Sequence, residues 1–181
     1  MSRRMISLGL ALSIAIVVSW GGISATLAQT PYPDGAGRNC AHIKGPAFLV
    51  TADGLKDRSG RAILELYPAN EADFLKKKEA LLSEGKLFRQ VEAPVPRQGP
   101  VNLCIDAPRP GAYALVFIHD RDGKRTFNIW KDGVGLVTGQ PLGTSRPRVS
   151  QAMVVAGNSP AHVPMQVQYM SGMAGFSPQH F

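Results

Sequence analysis

Three stretches of this chain alternate apolar and polar side chains with a period of two, a pattern that a half-buried β-strand satisfies and a helix does not. In residues 61–67, Ala62, Leu64 and Leu66 fall on one face, with Arg61, Glu65 and Tyr67 on the other. Val101, Leu103 and Ile105 repeat the pattern and place Cys104 on the opposite face with Asn102 and Asp106. Val163, Met165, Val167 and Tyr169 do so again, against Gln166 and Gln168. Residues 113–118 differ, because Tyr113, Leu115 and Phe117 are matched by Ala114, Val116 and Ile118, as in a central strand covered on both sides. Fainter strand patterns cover residues 47–51, 87–91, 126–130 and 152–155. Seven or eight short strands separated by turn residues predict an all-β domain, a sandwich or barrel.

One segment breaks the pattern. Residues 70–83 read as a helix: Asn70 suits the N-cap, Glu71 and Asp73 suit the positive end, lysines follow, and Gly85 can stop it. Phe74 with Leu81, and Leu75 with Leu82, give it an apolar face to lay on the sheet. Gly and Pro punctuate residues 133–147, which predicts a long irregular loop, and loops of that length usually carry function. Residues 29–45, with Pro31, Pro33, Gly35, Gly37 and Gly45, make a poor core segment and a plausible surface arm. The predicted division is therefore a leader over 1–28, an arm over 29–45, the β domain over 46–171 and a tail over 172–181.

The leader is read from its three-part texture. Arg3 and Arg4 form a positive start, residues 5–23 carry no charge and are apolar or small, and Ser24 to Ala28 offer small residues for cleavage. That is the pattern of a secretory signal, and it predicts a periplasmic or secreted product. An uncleaved membrane anchor is the alternative, since about 20 apolar residues span a bilayer, but Gly9, Ser13, Ser19, Gly21 and Gly22 dilute the stretch and favour cleavage without a lasting anchor. The Arg pair also resembles a twin-arginine export signal, and the route stays open. Cleavage removes two basic residues and no acid, so the formal charge falls from +7 to +5. The basic residues are scattered, and the run Lys76–Lys78 sits among Glu71, Asp73 and Glu79, so a solvated face is favoured and no nucleic-acid partner is expected. Cys40 and Cys104 are the two cysteines, and in an oxidising compartment an even pair predicts a disulfide. Cys104 faces away from Leu103 and Ile105, so the bridge should clamp the arm to the outside of a sheet.

Candidates for chemistry are sparse. His42, His119, His162 and His180 show no metal-ligand spacing, and no metal or cofactor is expected. His119 and Asp120 end the doubly covered strand, and a His-Asp pair can serve catalysis if a third group completes it. Ser145 and Ser150 are available but lie in no nucleophile motif, so support of a loop tip is the favoured role. Asp122-Gly123 is sufficient for a hairpin turn. Gly133, Gly135 and Gly139 lack the strand-to-helix setting of a phosphate loop. Trp130 beside Lys131 either fills the core or offers an aromatic, basic surface.

Asp106-Ala107-Pro108-Arg109-Pro110-Gly111-Ala112-Tyr113 is a strand end, a Pro-Gly turn and a strand that opens with tyrosine. The tyrosine resembles the corner of immunoglobulin-like sandwiches, which implies a hydroxyl tied back to upstream backbone, and the Pro-Gly-x-Tyr element resembles transthyretin-like and carboxypeptidase-regulatory-like β domains. With residues 61–67, Asp73-Phe74-Leu75, His119-Asp120 and Gly133-Val134-Gly135-Leu136 added, the chain resembles a family of secreted bacterial proteins known as domain of unknown function number twenty-one forty-one, over about residues 46–171. The resemblance implies a small extracytoplasmic β-sandwich and no established activity, to which the residue pattern adds one short helix. Members often carry an Asn- and Gly-rich calcium-like turn after the His-Asp pair, whereas here Lys124 stands where a further ligand belongs.

The functional expectation is a non-enzymatic envelope module that contacts a protein, glycan or other surface ligand through the 119–124 turn and the 133–147 loop. His119, Asp120, Asp122, Trp130 and Lys131 are its candidate binding residues. A small hydrolase built on His119 and Asp120 is the main alternative, and a structural part of an envelope assembly is the third.

Overall fold

The computed structural model describes Cys40 and residues 43–179. The leader, the cleavage site, most of the arm, His42 and His180 lie outside the described residues. Nine strands form among the described residues: β1 (Ala47–Asp53), β2 (Arg61–Pro68), β3 (Arg89–Pro94), β4 (Val101–Asp106), β5 (Gly111–Asp120), β6 (Gly133–Leu136), β7 (Met153–Ala156), β8 (Pro160–Met170) and β9 (Phe176–Pro178), with one short helix, α1 (Lys78–Ser83). No helix among the described residues is long and apolar enough to cross a membrane.

The all-β fold with a single short helix is what forms, and its layers are joined into one sheet. The hydrogen-bonded order is β3-β2-β5-β6-β8-β1-β4, with β7 on β5 and β9 on β8. Pairing is antiparallel except between β1 and β8. The end strands β3 and β4 meet, and Arg89 of β3 donates to the carboxylate and carbonyl of Asp106 in β4, so the sheet nearly closes into a barrel. Closure leaves few free strand edges. The alternating residues supply the interior: Phe48, Val50, Leu64, Leu66, Leu103, Ile105, Leu115, Phe117 and Val167 are buried together, each large side chain contributing about 1.5–3 kcal/mol when fully withdrawn from water.

The outer face of β2 is also covered, contrary to the one-sided reading of residues 61–67. Ile63 and Tyr67 are buried there, and Tyr67 joins a second cluster with Phe74, Leu81, Val116, Val134, Leu136 and Phe176. The covering segment is not the 14-residue helix that residues 70–83 predict. The Asn70 side-chain oxygen accepts the Asp73 amide at 3.0 Å and caps a turn, but Leu75 has φ 58°, outside the helical region. The chain restarts as α1 only at Lys78. The break turns Phe74 into the cluster, so tertiary burial overrides local propensity.

Residues 133–136 are a central strand rather than the start of a loop. Gly133 and Gly135 face the interior opposite Tyr169 and Val167 of β8, and a Cβ at Gly133 would lie 2.6 Å from the Tyr169 ring and from Val167 Cγ1. These glycines make room for neighbouring side chains. Residues 126–130, by contrast, form no strand. Asp132 accepts the Asn128 amide at 2.7 Å and Asn128 accepts the Trp130 amide at 3.0 Å, so side chains take the bonds that a ladder would need. The strand predicted at 87–91 runs over Arg89–Pro94, and β9 adds a strand inside the predicted tail.

The Tyr113 hydroxyl donates to the Arg109 carbonyl at 2.8 Å, as the tyrosine-corner resemblance implies. Cys40 and Cys104 are bonded, with Cα atoms 5.6 Å apart. They form a small cluster with Ala47, Ile43 and Leu49, apart from the barrel interior.

Candidate functional site

Alternation along β5 sorts its side chains between two environments. Tyr113, Leu115 and Phe117 enter the barrel. Val116, Ile118 and Asp120 face outward onto a cleft of about 660 Å³. Its floor is Ile63, Glu65 and Tyr67 from β2, Val116 and Ile118 from β5, and Val134 and Leu136 from β6. Three segments wall it: residues 75–79, loop 125–129 with Phe127 and Ile129, and loop 142–147. Phe127 stacks on Phe176 with ring centres 6.2 Å apart, which ties one wall to β9. Aromatic and aliphatic side chains make up most of the floor and part of each wall, and polar and charged groups, among them Lys76, Lys77, Lys78, Arg125 and Arg146, line the rest, a mixture that a small-molecule site can use.

Glu65 is a polar group on that floor whose carboxylate, unlike that of Asp120, takes no backbone amide among the described residues. Its neighbours across the ladders are Gln90 and Val116, and the Tyr67 hydroxyl donates to Oε2 at 2.7 Å. Burial raises the Glu65 carboxyl above its ordinary range, only partly offset by the Tyr67 hydrogen bond and by Lys78. The Tyr67 phenol is pushed up in turn by burial and by the charge of Glu65.

The predicted residue His119 does not reach a surface, and Asp120, although it lines the cleft, is buried with its carboxylate turned to loop amides. His119 is fully buried, and it extends the interior face of β5. Its Nδ1 lies 2.6 Å from the Tyr169 hydroxyl and its Nε2 2.8 Å from the Ser59 carbonyl. The Lys56 amide donates to that same hydroxyl at 2.9 Å. The tyrosine hydrogen is therefore left for His119 Nδ1, and Nε2 carries the proton that Ser59 accepts. Burial lowers the His119 pKa, opposed by the Ser59 hydrogen bond and by Asp57, which keeps the ring neutral. Burial also pushes the Tyr169 phenol up to about 12. Beside this network, Asp57 accepts from Arg121 and from the hydroxyl and amide of Ser59; these bonds outweigh burial and hold its carboxyl well below the usual range.

Asp120 and Asp132 organise loop 121–132 from below. Asp120 accepts the amides of Lys124 at 3.2 Å and Arg125 at 2.8 Å, and Asp132 those of Arg121 at 3.0 Å and Asn128 at 2.7 Å. Oxygens of Asp120, Asp122 and Asp132 lie within 4.8 Å of one another. Two of these acids are buried and committed to four backbone N–H groups, and Asp122 faces Lys124 and Lys131, each at 3.4 Å. Lys124 and Lys131 set positive charge beside Asp122. Trp130 is 76% exposed, so it does not fill the core. The structure thus brings Asp120, Asp122 and Lys131 into one loop with Trp130 at its surface, and sets His119 behind the sheet.

Ser145 lines the cleft, while both ring nitrogens of His119 are engaged on the opposite face of β5. The pair offers no nucleophile-base contact. Glu65 escaped the sequence reading because a charged residue at an outward strand position looks solvated. The available signal was its company, Ile63 and Tyr67 on the same outward face.

No curated protein and no solved structure matches this chain. A family model described as uncharacterized protein conserved in bacteria, DUF2141, matches residues 50–163, from β1 into β8 and including Glu65, His119 and the whole of loop 121–132. With more than half of its length covered, the chain belongs to the DUF2141 family.

Proposed function

We propose that this protein is an exported binding module of the bacterial envelope that holds a small apolar molecule in the cleft over β2, β5 and β6 and does not transform it. The observation that carries the reading is the cleft itself: about 660 Å³, walled by three separate segments and floored largely by apolar side chains, with the Glu65 carboxyl among them. A volume of that order suits ligands of drug-like size. Of the residues expected from sequence to carry binding, only Asp120 lines the cleft; its walls come instead from residues 125–129 and from residues 142–147 at the far end of the expected 133–147 loop. The Arg3-Arg4 start and apolar leader, together with the Cys40–Cys104 bond, support an oxidising, extracytoplasmic setting. A second reading, contact with a protein or glycan surface, rests on Trp130 exposed beside Lys131.

Titration with a neutral fluorescent apolar probe such as phenylnaphthylamine, followed by the methyl resonances of Ile118, Val134 and Leu136, tests the cleft. Shifts concentrated on these methyls are expected. Probe binding that leaves them unmoved would remove the reading. For export, the intact mass of protein recovered from the periplasm or medium should lack residues 1–28, and a full-length product held in the membrane would contradict it.

A further inference from the structure

One group on the cleft floor is made worse off by a purely apolar occupant. Oε2 of Glu65 accepts from Tyr67, but Oε1 has no hydrogen-bond partner among the described residues and Glu65 lines the cleft. An alkyl or aryl surface laid over Oε1 would remove its water and return nothing, and a buried acceptor left unpaired is costly. A ligand carboxylate would add like-charge repulsion. We infer that the ligand of this cleft is an apolar molecule bearing a hydrogen-bond donor, a hydroxyl or amine, which Glu65 receives, and that Glu65 selects against carboxylates. This rests on the cleft being the binding site. The rim works in the opposite direction: Lys77 and Lys78 are exposed there and form no salt bridge among the described residues. A site governed by rim charge would prefer anions, so the two controls on specificity predict opposite orders.

Three probes that share one apolar body separate them: naphthol, methylnaphthalene and naphthoate, titrated into the full chain at neutral pH and read by fluorescence and by the methyl resonances of Ile118, Val134 and Leu136. Naphthol should bind about tenfold more tightly than methylnaphthalene, the effect of one hydrogen bond to a charged acceptor, with naphthoate weakest. In Glu65→Leu, naphthol and methylnaphthalene should bind alike and naphthoate should gain. If Glu65→Leu does not fold, Glu65→Gln carries the test, because removing the charge should bring naphthoate up to the level of methylnaphthalene. Equal binding of naphthol and methylnaphthalene by the unaltered chain, naphthoate binding most tightly, or an order unchanged by the Glu65 substitutions would overturn the inference and leave the cleft reading standing. Failure of all three probes to move the cleft methyls would overturn both.

Discussion

Glu65 and His119 are ionisable groups whose surroundings oppose their charge, and each leaves a signature in the pH dependence of stability. Burial raises the folded pKa of Glu65 above its ordinary 4.5, so between 4.5 and that raised value the native state holds more proton than the unfolded chain. The associated stability is present below 4.5 and is lost as pH rises through the folded pKa. Glu65→Gln should therefore melt higher than the unaltered chain at pH 7, with the gain vanishing as pH falls towards 4.5; melting curves across that range check it. His119 has the opposite sign. Its folded pKa is lowered from 6.5, so the unfolded chain takes up the proton first and stability falls as pH drops below 6.5 towards the folded value. Its fully buried ring holds two hydrogen bonds. Replacing His119 by Ala leaves a cavity and two unpaired groups, which should cost on the order of 3 kcal/mol in urea unfolding and flatten the pH dependence just below 6.5.

Loop 121–132 and strand β6 depend on single residues at their roots. Asp132 accepts the amides of Arg121 and Asn128 and so spans the loop from end to end. Asp132→Ala should abolish amide-exchange protection at both positions, cost about 1–3 kcal/mol for the donors left unpaired, and loosen the wall that carries Phe127. Intact protection at Arg121 and Asn128 would show that the loop is held by other means. In β6 the strand is possible because Gly133 lets Tyr169 and Val167 fill the space a side chain would take. Gly133→Ala should lower stability by about 1–3 kcal/mol through overpacking, where an ordinary loop glycine would tolerate the change. The glycine-rich texture that suggested a loop is here the means of packing a central strand.

At the scale of the molecule, the interior cluster, the outer cluster and the disulfide are separate sources of stability. The Cys40–Cys104 bond closes 64 residues of chain, and in the loop-entropy account it stabilises by about 4 kcal/mol. Reduction should shift the urea midpoint downwards while leaving the far-ultraviolet spectrum unchanged in the absence of denaturant, because the bond joins β4 to the arm through a side chain outside the barrel interior, which packs without it. Loss of the β spectrum on reduction alone would show that the strands cannot hold without it. The nearly closed barrel also explains why the cleft lies outside. The interior is filled by large side chains such as Phe48 and Phe117, and the outer face of β2, β5 and β6 is where the walls leave space.

Strand identity was legible where large apolar side chains alternated on the face that meets the barrel interior, since a period of two states which side chains are buried. Residues 61–67, 101–105 and 163–169 and the doubly covered 113–118 needed nothing more. The Cys40–Cys104 pairing and its place outside the core followed from cysteine count and strand phase, and the tie of the Tyr113 hydroxyl to upstream backbone was what its resemblance to the tyrosine corner implied, with Arg109 the partner in the structure. What depends on residues distant in sequence was not written locally. The helix at 70–83 breaks at Leu75 so that Phe74 can reach the outer cluster. Gly133 and Gly135 join a strand because Tyr169 and Val167 arrive from β8. Glu65 faces a cleft because loops some 60 and 80 residues further along close over it. Local chemistry determined which segments are strands, and only the tertiary arrangement decided what covers them and so where a ligand can bind.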